Sequence, residues 1–130
     1  MDEEKDFRFT KKERVTGEKR IESLFAKGRS FMAYPFRIVY LETKQNTAIP
    51  LSILITVPKK RMRSAVDRNR MKRLAREAFR LNKHLFFAQG NLDVAFVSVA
   101  DTPCEYAVVE KGMLKALKEL NNRIEKKESC

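Results

Sequence analysis

Between Lys59 and Lys83 the chain gathers eleven of its 28 lysines and arginines, with only Asp67 and Glu77 as acids. The block thus carries nine of the eleven net positive charges, and the rest of the chain is near neutral. A cluster of this kind is suited to holding a polyanion. Arg68, Lys72 and Arg76 recur at steps of four, with Arg73 and Arg80 flanking them, and a helix puts such steps on one face. Asn69 sits between Arg68 and Arg70 in the first turn, where free backbone N–H groups also favour anions. Lys59, Lys60, Arg61 and Arg63 extend the patch ahead of the helix. Arginine makes forked contacts to phosphate that lysine cannot make. Like charges at this spacing repel within an isolated helix, so the row needs a reason outside the helix. A phosphate backbone is that reason.

Catalysis by the chain itself has little to draw on. There is one histidine, His84, and there are two cysteines, Cys104 and Cys130. No Ser/His/Asp or Cys/His set, Gly-rich phosphate loop or metal-ligand spacing is legible, and Asp67, Asp93 and Asp101 stand isolated. No catalytic and no metal-ligating residue is expected. Two cysteines make no disulfide framework. No apolar run approaches the ~20 residues needed to span a bilayer. The acidic opening is the reverse of a signal peptide, so no membrane partner and a cytoplasmic location are expected.

The basic helix is expected to begin with Asp67 as its N-cap and Val66 packing at its entry. Met71, Leu74, Ala75, Ala78 and Phe79 recur at threes and fours and give it an apolar underside. Upstream, Thr16 is expected to cap a first helix over 18–27. Ile21, Leu24 and Phe25 form its buried stripe, and Gly28 its left-handed stop. Residues 29–33 read as a short strand. Residues 36–42 alternate, with Phe36, Ile38 and Tyr40 on one face and Arg37, Val39 and Leu41 on the other. A turn over 44–48 leads to a third strand, 51–57, bracketed by Pro50 and Pro58. After a turn through Gly90, residues 92–100 are apolar almost throughout, the pattern of a strand buried on both faces. Thr102, Pro103 and Glu105 spell a capping box for a last helix. Its stripe of Tyr106, Val109, Met113, Leu117, Leu120 and Ile124 docks on the sheet, and residues 125–130 fray.

The expected order is therefore α-β-β-β-α-β-α, an α+β sandwich in a single domain spanning residues 1–130. Arg37, Val39, Ser52, Leu54 and Thr56 make a strand face too polar for a core. They are expected to form the floor of a groove, with the basic helix as one wall. Residues 1–15 read as an extended arm that lies along RNA with its aromatics Phe7 and Phe9 stacking, or equally with Phe9 anchored in the core.

The run AVDRNRMKRLAREAF, residues 65–79, resembles the Arg-Asn-Arg signature of the bacterial ribonuclease P protein subunit. The strand end Val57-Pro58-Lys59-Lys60, the loop 61–65 and Phe25-Ala26-Lys27-Gly28 match the flanking features of that family in order, over roughly residues 8–124. The resemblance implies a four-stranded mixed sheet with a left-handed β-α-β crossover. It implies that Arg68, Asn69, Arg70, Lys72, Arg73 and Arg76, with Lys59, Lys60, Arg61 and Arg63, contact the catalytic RNA or lie beside the path of the substrate's leader. It also implies a cleft for the single-stranded 5′ leader of precursor tRNA, mapping by position to Ile21, Phe25, Arg37 and Val39. Family members often carry aromatics where Ile21 and Val39 stand. In that family the RNA subunit holds the catalytic Mg2+ ions, and the holoenzyme hydrolyses one phosphodiester bond to release the leader. The expected partners are thus ribonuclease P RNA and precursor tRNA. The alternative is a ribosomal RNA-binding or ribosome assembly protein with no nuclease role. A DNA partner is not expected, because a strand and Pro58 precede the basic helix where a helix-turn-helix needs another helix.

Overall fold

The computed structural model describes residues 13–43, 51–87 and 91–128. Its elements are α1 (Glu18–Lys27), β1 (Arg29–Ala33), β2 (Phe36–Thr43), β3 (Leu51–Thr56), α2 (Ala65–Asn82), β4 (Asn91–Ser98) and α3 (Tyr106–Glu128). This is the expected α-β-β-β-α-β-α order of an α+β fold. The strands make one mixed sheet in the order β1-β2-β4-β3. Strand β4, buried along nearly its whole length, lies inside it, antiparallel to β2 and parallel to β3. That placement fits its apolar run Val94–Val97, since an interior strand is covered on both faces. The segment from β3 through α2 to β4 is the parallel crossover.

Strand alternation divides the sheet into two faces of different chemistry. Phe36, Ile38, Ile53, Val94 and Phe96 point into the main core. There they meet Met71, Ala75, Ala78 and Phe79 of α2 and Val109, Met113, Leu117 and Leu120 of α3. Phe36 and Phe96 pack edge to face at 5.6 Å. The opposite face carries a smaller core of Leu24, Val39 and Ala95, with Leu41, Leu54 and Val97 around it. Helices α2 and α3 therefore share one layer and α1 lies alone on the other. The basic helix is not a wall of the groove on the second face, contrary to expectation. Chain order does not say on which side of the sheet a crossover helix falls.

Beneath α1 the second face holds an ion pair with a buried carboxylate and a half-buried guanidinium. Arg20 donates two hydrogen bonds to Asp93 of β4, at 2.8 and 2.6 Å. The contact favours the charged guanidinium and raises its pKa, against the opposing effect of burial. Ahead of α1, Glu13 is buried against Lys83 at 2.8 Å, and the Val15 N–H donates to the Ile53 carbonyl. Residues 13–15 thus cover the edge of β3 rather than belonging to a free arm. Residues 1–12, including Phe7 and Phe9, lie outside the described residues, as do the turn over 44–48 and Gly90.

The helix ends depart from the expected caps. Gly17, not Thr16, is the N-cap of α1, at φ 93°, a left-handed conformation that glycine tolerates best. Gly28 is extended, at φ −73° and ψ 158°, so it is no left-handed stop. It is a glycine for another reason. A Cβ there would strike the Leu24 carbonyl oxygen and lie 2.9 Å from both the Tyr40 oxygen and Val39 Cγ1. Gly28→Ala should therefore lower stability by about 1–3 kcal/mol, as overpacking does. Urea unfolding would show it, and an unchanged midpoint would mean that α1 shifts freely. The capping box at Thr102 does not form, because α3 begins at Tyr106, with Val108 and Val109 N–H groups donating to the Glu105 carbonyl. At its other end α3 extends to Glu128.

Candidate nucleic-acid interface

Helix α2 starts three residues earlier than the sequence suggests. Ser64 is its N-cap, and its hydroxyl accepts from the Asp67 N–H at 3.3 Å. Asp67 falls in the first turn, where its charge still complements the helix dipole. Val66 does not pack at the entry but is 76% exposed. Ser64→Ala should cost about 0.5–1 kcal/mol, the low end for a cap because this bond is long and exposed. A melting curve matching the parent would show that the cap contributes nothing. The underside is apolar as expected, except that Leu74 is only partly buried beside the core formed by Met71, Ala75, Ala78 and Phe79.

The outward side of α2 carries the cations. Asn69, Arg70, Arg73 and Arg76 are exposed and Lys72 is half-exposed. Arg70, Lys72, Arg73 and Arg76 have no acid of the described chain against them. Arg80 is different, since it holds Glu77 at 2.7 Å and keeps that carboxyl below its usual range. Arg68 is different again. Its Nη1 turns back and donates to the carbonyl oxygens of Met62 and Arg63, at 2.9 and 2.8 Å. Steps of four drift by about 40° each around a helix, so Arg68 lies nearer the buried stripe than Arg76 does. Arg68 is thereby a fastener of the preceding loop more than an open contact.

That loop is itself ordered by the chain. Arg61 and Met62 N–H groups both donate to the Pro58 carbonyl at 3.1 Å, and the Met62 side chain is buried. Met62 was not singled out by its sequence, because it lies outside any periodic run. With Met62 as anchor, Lys59, Lys60, Arg61 and Arg63 are all exposed. Arg61 lies 3.6 Å from Asp101, a surface contact of little energetic weight.

On the second face, cross-strand register aligns Met32, Arg37, Val97 and Thr56 in one row. Met32 and Arg37 are exposed, and Val97 and Thr56 are half-buried. Phe25 of α1 is 43% exposed, so it is not the core residue its helical spacing suggests, and Ile21 is half-buried beside it. Val39 is buried under Leu24 and offers no surface to a ligand. The open row ends at Thr56, from which the chain runs directly into Pro58, Lys59 and Lys60.

Among the described residues no group of three His, Cys, Asp or Glu side chains could hold a metal ion. No described helix is long and apolar enough to cross a membrane. Half-buried Cys104 has its thiol pKa raised by burial, partly offset by a hydrogen bond with Tyr34. A lone buried thiol of that kind is a poor nucleophile.

Taken together, the layered α+β fold and its open arginine-rich helix define a small protein built to hold a polyanion. Residues 9–125 match the family model described as Ribonuclease P. The chain belongs to the ribonuclease P protein family. A ribonuclease P protein component of Porphyromonas gingivalis is 41% identical over 116 residues, 85% of this chain and 85% of that one. One from Chlorobaculum tepidum is 39% identical over 72 residues, covering 53% of this chain and 47% of that one. Among solved structures, the RNase P protein of Staphylococcus aureus superposes with TM-score 0.69 at 21% identity, over 83% of this chain and 94% of that one. The RNase P protein of Thermotoga maritima gives TM-score 0.67 at 22% identity, over 82% and 96%. These two likenesses concern the fold. Membership places the chain in processing of the tRNA 5′ end, as the protein partner of ribonuclease P RNA. The reading as a ribosomal assembly protein is set aside.

Proposed function

We propose that the chain contributes no catalytic group and that ribonuclease P RNA cuts the precursor tRNA. The observation that carries this reading is the outer face of α2, where Arg70, Arg73 and Arg76 are exposed above an apolar base with no acid of the described residues against them. Arg70, Lys72, Arg73 and Arg76 grip the phosphates of the RNA, with Asn69 between them. Lys59, Lys60, Arg61 and Arg63 continue that contact toward the sheet. The groove beside α1 takes the single-stranded 5′ leader of precursor tRNA. In it Phe25 and Ile21 meet bases, Arg37 meets a phosphate, and Val39 holds the floor from beneath. The described residues offer no donor set for a metal, so the Mg2+ required for hydrolysis is assigned to the RNA and to its interface with the protein. When bound there, it supplies the activation of water and the stabilisation of the leaving oxygen.

Reconstitution tests this directly. Added to a ribonuclease P RNA at low magnesium, the chain should restore cleavage that leaves a 5′-phosphate on the mature tRNA. Binding to the RNA without restored cleavage would sink the proposal. So would cleavage of precursor tRNA by the protein alone.

A further inference from the structure

Helix α3 has a second cationic row that lies outside the α2 block. Lys111, Lys115 and Lys118 recur at steps of four and three, opposite buried Val109, Met113, Leu117 and Leu120. All three are exposed, and none pairs with an acid of the described chain. The acids of α3 with described side chains turn elsewhere. Glu119 is bound by Arg123 at 2.8 Å, and Glu110 accepts from Tyr106 and Asn82, both at 3.2 Å. Since α2 and α3 share one layer, the lysine row and the arginine face both open away from the sheet, on one side of the molecule.

A second feature is tied to α3 one turn beyond Lys118. Phe87 is 68% exposed, the most exposed aromatic among the described residues. It is nevertheless held in place. Asn121, buried one turn beyond Lys118, accepts from the Phe87 N–H at 3.0 Å and donates to the Leu85 carbonyl at 2.9 Å. The amide fixes the backbone from which the exposed ring projects, and such a ring offers a flat apolar face to a ligand. Along the same helix stand three ammonium groups with no acid of the described residues against them, so an unpaired nucleotide run fits, with a base on the ring and phosphates on the lysines.

We infer that Lys111, Lys115, Lys118 and Phe87 form a second RNA-contact surface, which engages an unpaired segment of ribonuclease P RNA. This rests on the reading of α2 given above, because it assigns both surfaces to the same RNA. The test compares three variants of the full chain for binding to ribonuclease P RNA across a salt series: Lys111, Lys115 and Lys118→Gln together, Phe87→Leu, and Phe87→Tyr. Melting curves accompany each. The lysine variant should lose affinity by about tenfold, with a log–log salt slope shallower by about 2. Phe87→Leu should lose about fivefold or more, and Phe87→Tyr should retain parental affinity because it still stacks. Parental affinity of the lysine variant, or of Phe87→Leu, would overturn the inference, and so would a loss confined to precursor tRNA binding. An α2 variant measured alongside separates the two readings. If it binds weakly while the α3 variants bind normally, only the second surface is wrong. If all bind normally, the α2 reading fails as well.

Discussion

Replacing Lys72, Arg73 and Arg76 together by alanine is expected to weaken binding to ribonuclease P RNA by about a hundredfold at physiological salt. The slope of log affinity against log salt should become shallower by about 2–3, since each neutralised phosphate accounts for about 0.7–0.9. Stability should hardly change. The three side chains lie on the outward face of α2, pair with no acid of the described chain, and are replaced by the best helix former. Their removal also relieves like-charge repulsion along the helix. Filter binding at four or five salt concentrations gives the slope, and a thermal melt gives the control. A full loss of affinity with an unchanged slope would place these cations away from phosphate. The choice of residues matters, because Arg68→Ala would confound the measurement. Its guanidinium holds the Met62 and Arg63 carbonyls, so that variant would disturb the loop and the patch at once.

The elements with strong period were legible before any coordinates. The stripes of α2 and α3, the alternation of β2 and the apolar run of β4 all reflect burial of one defined face, and burial is written residue by residue. The cation face was legible for the same reason, since it is the complement of the stripe. Helix starts were less so. Ser64 and Asp67 are both good caps three residues apart, and the winner depends on how the Pro58 turn delivers the chain. Thr102-Pro103-x-Glu105 has the right spelling for a capping box, yet the helix starts after it. Gly28 was marked as special correctly and for the wrong reason, because sequence shows the absence of a Cβ and not what occupies its space. The layer of α2 and the burial of Val39 are properties of the assembled sheet. No local pattern contains them. The same holds for Arg20 and Asp93, which are 73 positions apart.

That pair leads to the largest expected stability effect. Arg20→Ala should destabilise the protein by about 3 kcal/mol, the lower part of the range for breaking a buried ion pair. The reason is the carboxylate left behind. Its side chain is 4% exposed in the middle of β4, whereas Arg20 is 28% exposed at the margin. Asp93→Asn should cost less, about 1–2 kcal/mol, because a guanidinium at the edge can turn to water and the amide keeps a hydrogen bond. Replacing both residues should recover part of the Arg20→Ala loss, since no buried charge then stands alone. Denaturant unfolding of the two singles and the double closes the cycle. The pair also positions α1, which otherwise rests on Leu24 over Val39 and Ala95. Freeing it should move Ile21 and Phe25 relative to the Met32–Thr56 row and weaken precursor tRNA more than ribonuclease P RNA. If Asp93→Asn proves the costlier single change, the carboxylate is not the stranded partner. If both RNAs weaken alike, α1 is not aligned with the groove by this contact.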